Sequence, residues 1–69
     1  MTHYRIVWIE YVREMLNKWI EDKNAAPYER LIAKDDNGHR VAVDNMTHDF
    51  WMEDFETFEE AAERCEEYN

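Results

Sequence analysis

The single glycine of this 69-residue chain is Gly38, which follows Asn37 between two short apolar runs. Asn-Gly is the preferred centre of a two-residue type I′ turn, because both positions of that turn need a positive φ. The sequence therefore predicts a β-hairpin around Asn37-Gly38, in which Asp35 faces Arg40 as a complementary charge pair. In that register the core side of the hairpin carries Ile32, Val41 and Val43.

A two-stranded hairpin is marginally stable in water, so further structure must cover it. The aromatic content of Thr47–Met52 favours a third strand there, and Asp44-Asn45 supplies the turn before it. The sequence thus predicts a small antiparallel sheet of two or three strands.

The first part of the chain has apolar residues at helical spacing from His3 to Lys23, which predicts an amphipathic helix. The start of this helix fits poorly, because Arg5 falls on the apolar arc while Ile6 and Val7 fall outside it. A short strand over Tyr4–Trp8 is therefore an alternative, and it would convert the fold to βαββ(β)α.

The last part of the chain begins with Thr57-Phe58-Glu59-Glu60, which has the form of a helix capping box. A helix that starts there has two distinct faces. Its apolar stripe consists of Phe58, Ala61, Ala62, Cys65 and Tyr68. Its opposite face is acidic and consists of Glu56, Glu59, Glu60, Glu63, Glu66 and Glu67.

These elements predict an α+β fold and a single compact domain over residues 1–69. Its parts are an N-terminal amphipathic helix, the small antiparallel sheet and a C-terminal acidic helix packed on the same core. The expected core residues are Trp8, Val12, Met15, Leu16, Trp19, Ile32, Val41, Val43, Phe58, Ala62 and Cys65.

The net charge of −9 is concentrated at one end of the chain. Residues 1–48 carry eight acidic and seven basic side chains, whereas residues 49–69 carry nine acidic side chains against Arg64 alone. Such a surface repels phosphates, so direct contact with nucleic acid or an anionic membrane is disfavoured. The expected partner is a basic protein, and the competing interpretation is a solvated face that only keeps the chain soluble.

The candidate partner-binding residues follow from this charge and from two adjacent aromatic residues. Neighbouring side chains on a strand point to opposite faces, so one member of Phe50-Trp51 is expected to face solvent or a partner. The full candidate set is Asp49, Phe50, Trp51, Glu53, Asp54, Glu56, Glu59, Glu60, Glu63, Glu66 and Glu67.

Several classes of function are disfavoured. The histidines and Cys65 lack metal-ligand spacing, and Cys65 lies on an apolar stripe that favours an inert thiol. We therefore expect no enzyme activity, no cofactor and no metal. A lone cysteine fits a reducing compartment, and the apolar run Ile6–Ile9 is too short for a signal or membrane segment, so a cytoplasmic location is expected.

A short, strongly acidic chain with a capped acidic helix beside a small sheet is similar to phage-encoded inhibitors of host defence nucleases. This resemblance in size, charge and architecture implies a nucleic-acid mimic that occupies the basic groove of a nuclease or effector complex, as anti-CRISPR and anti-restriction factors do. The alternative is a small interaction module or accessory subunit with no nuclease target. A homodimer is a further option, because Ile6 and Val7 are expected to pack on the C-terminal segment or across a dimer interface.

Overall fold

The structure is a computed structural model that describes residues 4–67, except for the side chain of Glu67. These residues form two α-helices and a four-stranded mixed sheet with the strand order β1-β2-β3-β4. The elements are β1 (Arg5–Trp8), α1 (Ile9–Glu21), β2 (Arg30–Lys34), β3 (Arg40–Asp44), β4 (Trp51–Phe55) and α2 (Phe58–Glu67), with a 3-10 turn at Lys23–Ala25. Within the described chain, neither helix has the length and apolarity needed to cross a membrane.

The first strand confirms the alternative interpretation of the N-terminal segment. Trp8 is still extended, with φ −74° and ψ 151°, and α1 begins only at Ile9. A helix from His3 was the wrong prediction for residues 5–8, and His3 itself lies outside the described residues. β1 pairs with β2 in parallel, which requires a crossover connection, and α1 provides it. The predicted antiparallel sheet is confirmed for β2, β3 and β4, and β1 adds a parallel pairing that was not predicted.

The two central strands are buried on both faces. All three middle residues of β2, Leu31–Ala33, and of β3, Val41–Val43, are buried. Leu31, Ala33, Val41 and Val43 pack in one cluster with α1, whereas Ile32 and Ala42 pack in a second cluster with α2. The helices thus lie on opposite faces of the sheet, and the prediction of one shared core is wrong. Continuous apolar runs, rather than alternating ones, are typical of strands covered on both faces.

The predicted core is largely confirmed residue by residue. The side chain of Trp8 is the exception, since it is 84% exposed. Predicted core residues that are buried are Val12, Met15, Ile32, Val41, Val43 and Cys65. Those that pack half-buried at the edge of a cluster are Leu16, Trp19, Phe58 and Ala62.

The hairpin lies where Asn37-Gly38 predicts it, but its register differs by one residue. Within this turn only Gly38 has a positive φ, of 85°, whereas a type I′ turn needs one at Asn37 as well. The turn is instead closed by Asp35, whose side chain accepts hydrogen bonds from the backbone N–H groups of Asn37 and His39, both at 2.9 Å. Arg40 consequently faces Lys34 and not Asp35.

This shift explains why the predicted core face of the hairpin is wrong. A one-residue slip moves every side chain of a strand to the other face of the sheet. Ile32 therefore faces α2, whereas Val41 and Val43 face α1.

The segment between β3 and β4 is a tight loop, and because of it the last strand begins later in the sequence than predicted. His48 and Phe50 both have positive φ, of 65° and 49°, so an extended strand cannot run through them. The indole N–H of Trp19 donates to the carbonyl oxygen of His48 at 2.6 Å and holds the loop on α1. The predicted strand at Thr47–Met52 is for this reason found at Trp51–Phe55.

Candidate protein-binding surfaces

Helix α2 is capped as its sequence predicts. The backbone N–H of Glu60 donates to the hydroxyl of Thr57 at 3.2 Å, and that hydroxyl donates to the Glu60 carboxylate at 3.1 Å. Ala61 and Cys65 are buried against the sheet. The cap and the burial of Ala61 and Cys65 together orient the helix so that its opposite side faces solvent.

Five acidic side chains on and just before α2 are exposed, of which Glu60 takes part in the cap. We call the other four the acidic face: Glu56, Glu59, Glu63 and Glu66. None of these carboxylates has a hydrogen bond or ion pair to another side chain in the part of the chain that the structure describes. Residues three or four apart on a helix have Cβ atoms about 5–6 Å apart, so the three helical members form a closely spaced row. The acidic face is therefore a ridge of free negative charge on a rigid element.

The other acidic candidates are placed differently. Glu53 and Asp54 are neighbours on the edge strand β4 and point to opposite faces of the sheet. Glu53 is 3.3 Å from the guanidinium of Arg64, and Asp54 is 3.0 Å from the ring of His39. Asp49 lies in the loop before β4, Glu60 is engaged in the cap, and the side chain of Glu67 is outside the described residues. The carboxylates of Glu53 and Asp54 are thus paired, whereas those of the acidic face have no such partner among the described residues.

Arg64, the one basic side chain of residues 49–69, already contacts other side chains of the fold. Its guanidinium lies over the ring of Trp51, 5.4 Å from the centroid, and next to Glu53. Arg64 is also half-buried. Among the residues that the structure describes, no cation is paired with a carboxylate of the acidic face.

Of the adjacent pair Phe50 and Trp51, one member was expected to face solvent or a partner, and Phe50 is not that member. Phe50 is only 7% exposed and packs against Trp19, with ring centroids 5.8 Å apart. Trp51 is half-buried in the cluster under α2. The two rings do point to opposite faces, as expected for neighbours, but both faces of this sheet are covered. Trp51 remains accessible only in part.

A third group of titratable side chains joins the hairpin turn to β4. Asp35, His39 and Asp54 each offer one ligand atom, and these atoms lie within 4.8 Å of one another. Asp35 already accepts two backbone hydrogen bonds, and His39 Nδ1 lies 3.0 Å from Asp54 Oδ2. These hydrogen bonds explain why the three side chains lie close together: they form a network that closes the hairpin turn.

The hydrogen bond and negative charge of Asp54 raise the pKa of His39 above its ordinary value of 6.5. Because the folded pKa is the higher one, the pair stabilises the fold fully below about pH 6.5 and loses this contribution as the pH rises through the folded pKa. NMR titration of the His39 ring is expected to show the raised pKa, and Asp54→Asn should lower it. Asp49→Asn is the control and should leave it unchanged. An unaltered His39 pKa in Asp54→Asn would contradict the pairing.

The thiol of Cys65 has the character predicted for a packed residue. It is 3% exposed, and burial raises its pKa. A raised pKa keeps the sulfur as the thiol, which is the poorly nucleophilic form.

A second exposed feature lies on β1, and the sequence pattern indicated only its Ile6, because Trp8 was predicted to be buried. Ile6 is 71% and Trp8 84% exposed, whereas Val7 packs on the cluster under α1. Ile6 and Trp8 line a groove of about 630 Å³, and Ile32 and Phe58 are also part of its lining. In the sequence, the exposure of Ile6 was indicated by its poor fit to the helical pattern. Because Val7 packs under α1, its predicted packing on the C-terminal segment is wrong.

Comparisons of the chain with protein-family models, with curated proteins and with solved structures found no match in any of the three.

Proposed function

We propose that this protein is a small inhibitor whose acidic face binds a basic, nucleic-acid-binding surface of another protein. The observation that carries the proposal is the row of free carboxylates on α2, which has no neutralising cation among the described residues. Like charges held this close repel one another and reduce stability. A bound basic surface would relieve that repulsion.

The geometry of α2 suits mimicry of a phosphate backbone. The carboxylates of Glu59, Glu63 and Glu66 recur about once per helical turn, with Cβ atoms about 5–6 Å apart, which is similar to the spacing of phosphates along a nucleic-acid strand. The Thr57 cap and the buried Ala61 and Cys65 hold the helix in place. A row of charges that is already ordered loses little conformational entropy when it binds.

The proposed target is a nuclease or effector complex that binds DNA or RNA through lysine and arginine side chains. Such surfaces owe much of their affinity to phosphate contacts, so an acidic protein can compete for them. Together with the small size and α+β architecture, this supports a role as an anti-defence factor of the anti-CRISPR or anti-restriction kind. In this role the protein acts by occupying a site and has no catalytic step of its own.

The proposal predicts binding that weakens with salt and competes with nucleic acid. Proteins captured by the immobilised chain from a nuclease-treated bacterial lysate are identified, and the affinity of each purified target is measured from about 0.1 M to about 1 M salt, where the Debye length falls from about 10 Å to about 3 Å. We expect the affinity to fall steeply across this range, and a DNA or RNA duplex to displace the chain.

A target whose affinity stays constant with salt and is not displaced by a duplex would contradict mimicry. That result would favour the second candidate function, an interaction module or accessory subunit with no nuclease target. The specific observation behind this second candidate is the exposed apolar pair Ile6 and Trp8 on β1.

A further inference from the structure

The two outer strands of the sheet differ sharply in what they present to solvent. β4 carries Glu53 and Asp54, and charges of this kind protect a sheet edge from pairing with another chain. β1 instead carries Ile6 and Trp8, both mostly exposed, and pairs only with β2 among the described strands. An edge strand with exposed apolar side chains is a site for association.

The apolar pair is uncovered because of where α2 sits. Ile6 faces the same side of the sheet as its partner Ile32, and Trp8 the same side as its partner Lys34. This is the side that α2 covers, but α2 packs on β2, β3 and β4. The groove beside Phe58 is the space that remains over β1.

The charges around this groove are mixed. Its lining includes two basic side chains, Lys34 and Arg40, and three acidic ones, Glu10, Asp35 and Asp36. A strongly basic or strongly acidic partner gains little electrostatic binding energy from such a surface. A second copy of the chain fits it, because a two-fold axis brings the same mixed set into contact and lets cations of one copy face anions of the other.

The acidic side chains of β4 favour the same occupant. β4 carries the exposed Glu53 and Asp54 and lies at the opposite end of the sheet from β1. Association through β1 therefore keeps these carboxylates of the two copies apart, where their repulsion is screened most. Association through β4 would bring them together.

We propose that two copies of this chain dimerise by antiparallel pairing of their β1 strands, so that the sheet continues across both copies. When Val7 lies opposite Val7 of the second copy, Ile6 of each copy lies opposite Trp8 of the other, on the uncovered side. Covering Trp8 in both copies removes about 250–400 Å² of surface. The remainder of a standard interface of about 1,200–2,000 Å² comes from Ile6, the strand backbones and the groove walls.

Sedimentation equilibrium of the full chain over a range of concentrations tests this proposal. The wild type is expected to approach twice its chain mass of 8.5 kDa. Trp8→Lys should weaken the association at least about 30-fold, as for an interface hot spot, and should still fold because Trp8 is exposed. Ile20→Lys is the matched control, since Ile20 is 66% exposed but lies on α1, and it should dimerise like the wild type.

Amide hydrogen exchange locates the interface. Exchange in β1 should slow as the wild-type concentration rises, and should not depend on concentration in Trp8→Lys. A wild-type mass that stays at 8.5 kDa up to about 1 mM, or a dimer that Trp8→Lys leaves intact, would overturn the proposal. A monomer that needs Trp8 to bind a captured target would also overturn it, because the groove would then belong to that target. The proposal is independent of the acidic face, which neither variant alters.

Discussion

Replacement of Asn45 by alanine is expected to remove most of the stability of the fold. Asn45 is fully buried, and its side chain joins two separate loops. Its amide Nδ2 donates to the carbonyl oxygen of Pro27 at 2.8 Å, and its Oδ1 accepts from the backbone N–H of Phe50 at 3.1 Å. Alanine leaves both backbone groups without this partner.

The size of the effect follows from the cost of unpaired groups. A buried polar group that loses its partner costs about 1–3 kcal/mol, so the two groups together cost at most about 2–6 kcal/mol, with the larger share from the buried Phe50 N–H and the smaller from the part-buried Pro27 carbonyl. A core in a chain this short rarely supplies more than about 3–5 kcal/mol. Urea unfolding followed by tryptophan fluorescence should therefore show Asn45→Ala with a midpoint near zero denaturant.

Asn17→Ala provides the matched control for this measurement. Asn17 is exposed on α1, where alanine is the better helix former, so its free energy of unfolding should stay within about 0.5 kcal/mol of the wild type. If Asn45→Ala unfolds at the wild-type midpoint, the side chain does not hold the two loops together.

The elements that the sequence predicts well are those specified by local interactions. Helix α2 begins at its capping box because the Thr57 hydroxyl and the Glu60 amide are three residues apart and meet in any helix that starts there. The turn at Gly38 forms because glycine accepts a positive φ. Both features depend on neighbours in sequence.

The elements that the sequence predicts poorly depend on contacts across the fold. Asn37-Gly38 is compatible with more than one turn length, and the side chain of Asp35 selects the longer turn and shifts the register. The side of the sheet that Ile32 faces follows from that choice. The apolar arc of α1 suggested a buried Trp8, but Trp8 belongs to a strand at the sheet edge, where no element covers it.

The candidate surfaces, like the elements of the fold, differ in whether neighbours in sequence or contacts across the fold determine them. The acidic face could be predicted because helical periodicity alone places Glu59, Glu63 and Glu66 opposite the buried Ala61 and Cys65. The engagement of Glu53 with Arg64 and of Asp54 with His39 could not, because it depends on how β4 pairs with β3. The exposure of Ile6 was indicated by its poor fit to the helical pattern, but its place at the edge of the sheet depends on the strand order.

Reversal of the charge on the acidic face is expected to abolish binding to the proposed basic target. The triple variant changes Glu59, Glu63 and Glu66 to lysine and replaces three attractions by three repulsions. With about 1 kcal/mol or more for each of three attractions lost and a similar amount for each of three repulsions gained, the affinity should fall by at least about 6 kcal/mol, which is more than about 10,000-fold. The affinity for a captured, purified target, measured at low salt, checks this expectation.

A charge reversal of the same size on α1 tests whether binding depends on where the carboxylates lie or only on the net charge of the protein. The control variant changes Glu10, Glu14 and Glu21 to lysine, all exposed on α1, and both variants shift the net charge from −9 to −3. Each set also includes one acid in the first turn of its helix, so the effects on helix stability are matched. Equal losses of affinity would mean that only total charge matters, and retained affinity in the α2 variant would exclude the acidic face. Loss confined to the α2 variant would show that binding depends on where these carboxylates lie, since the two variants carry the same net charge.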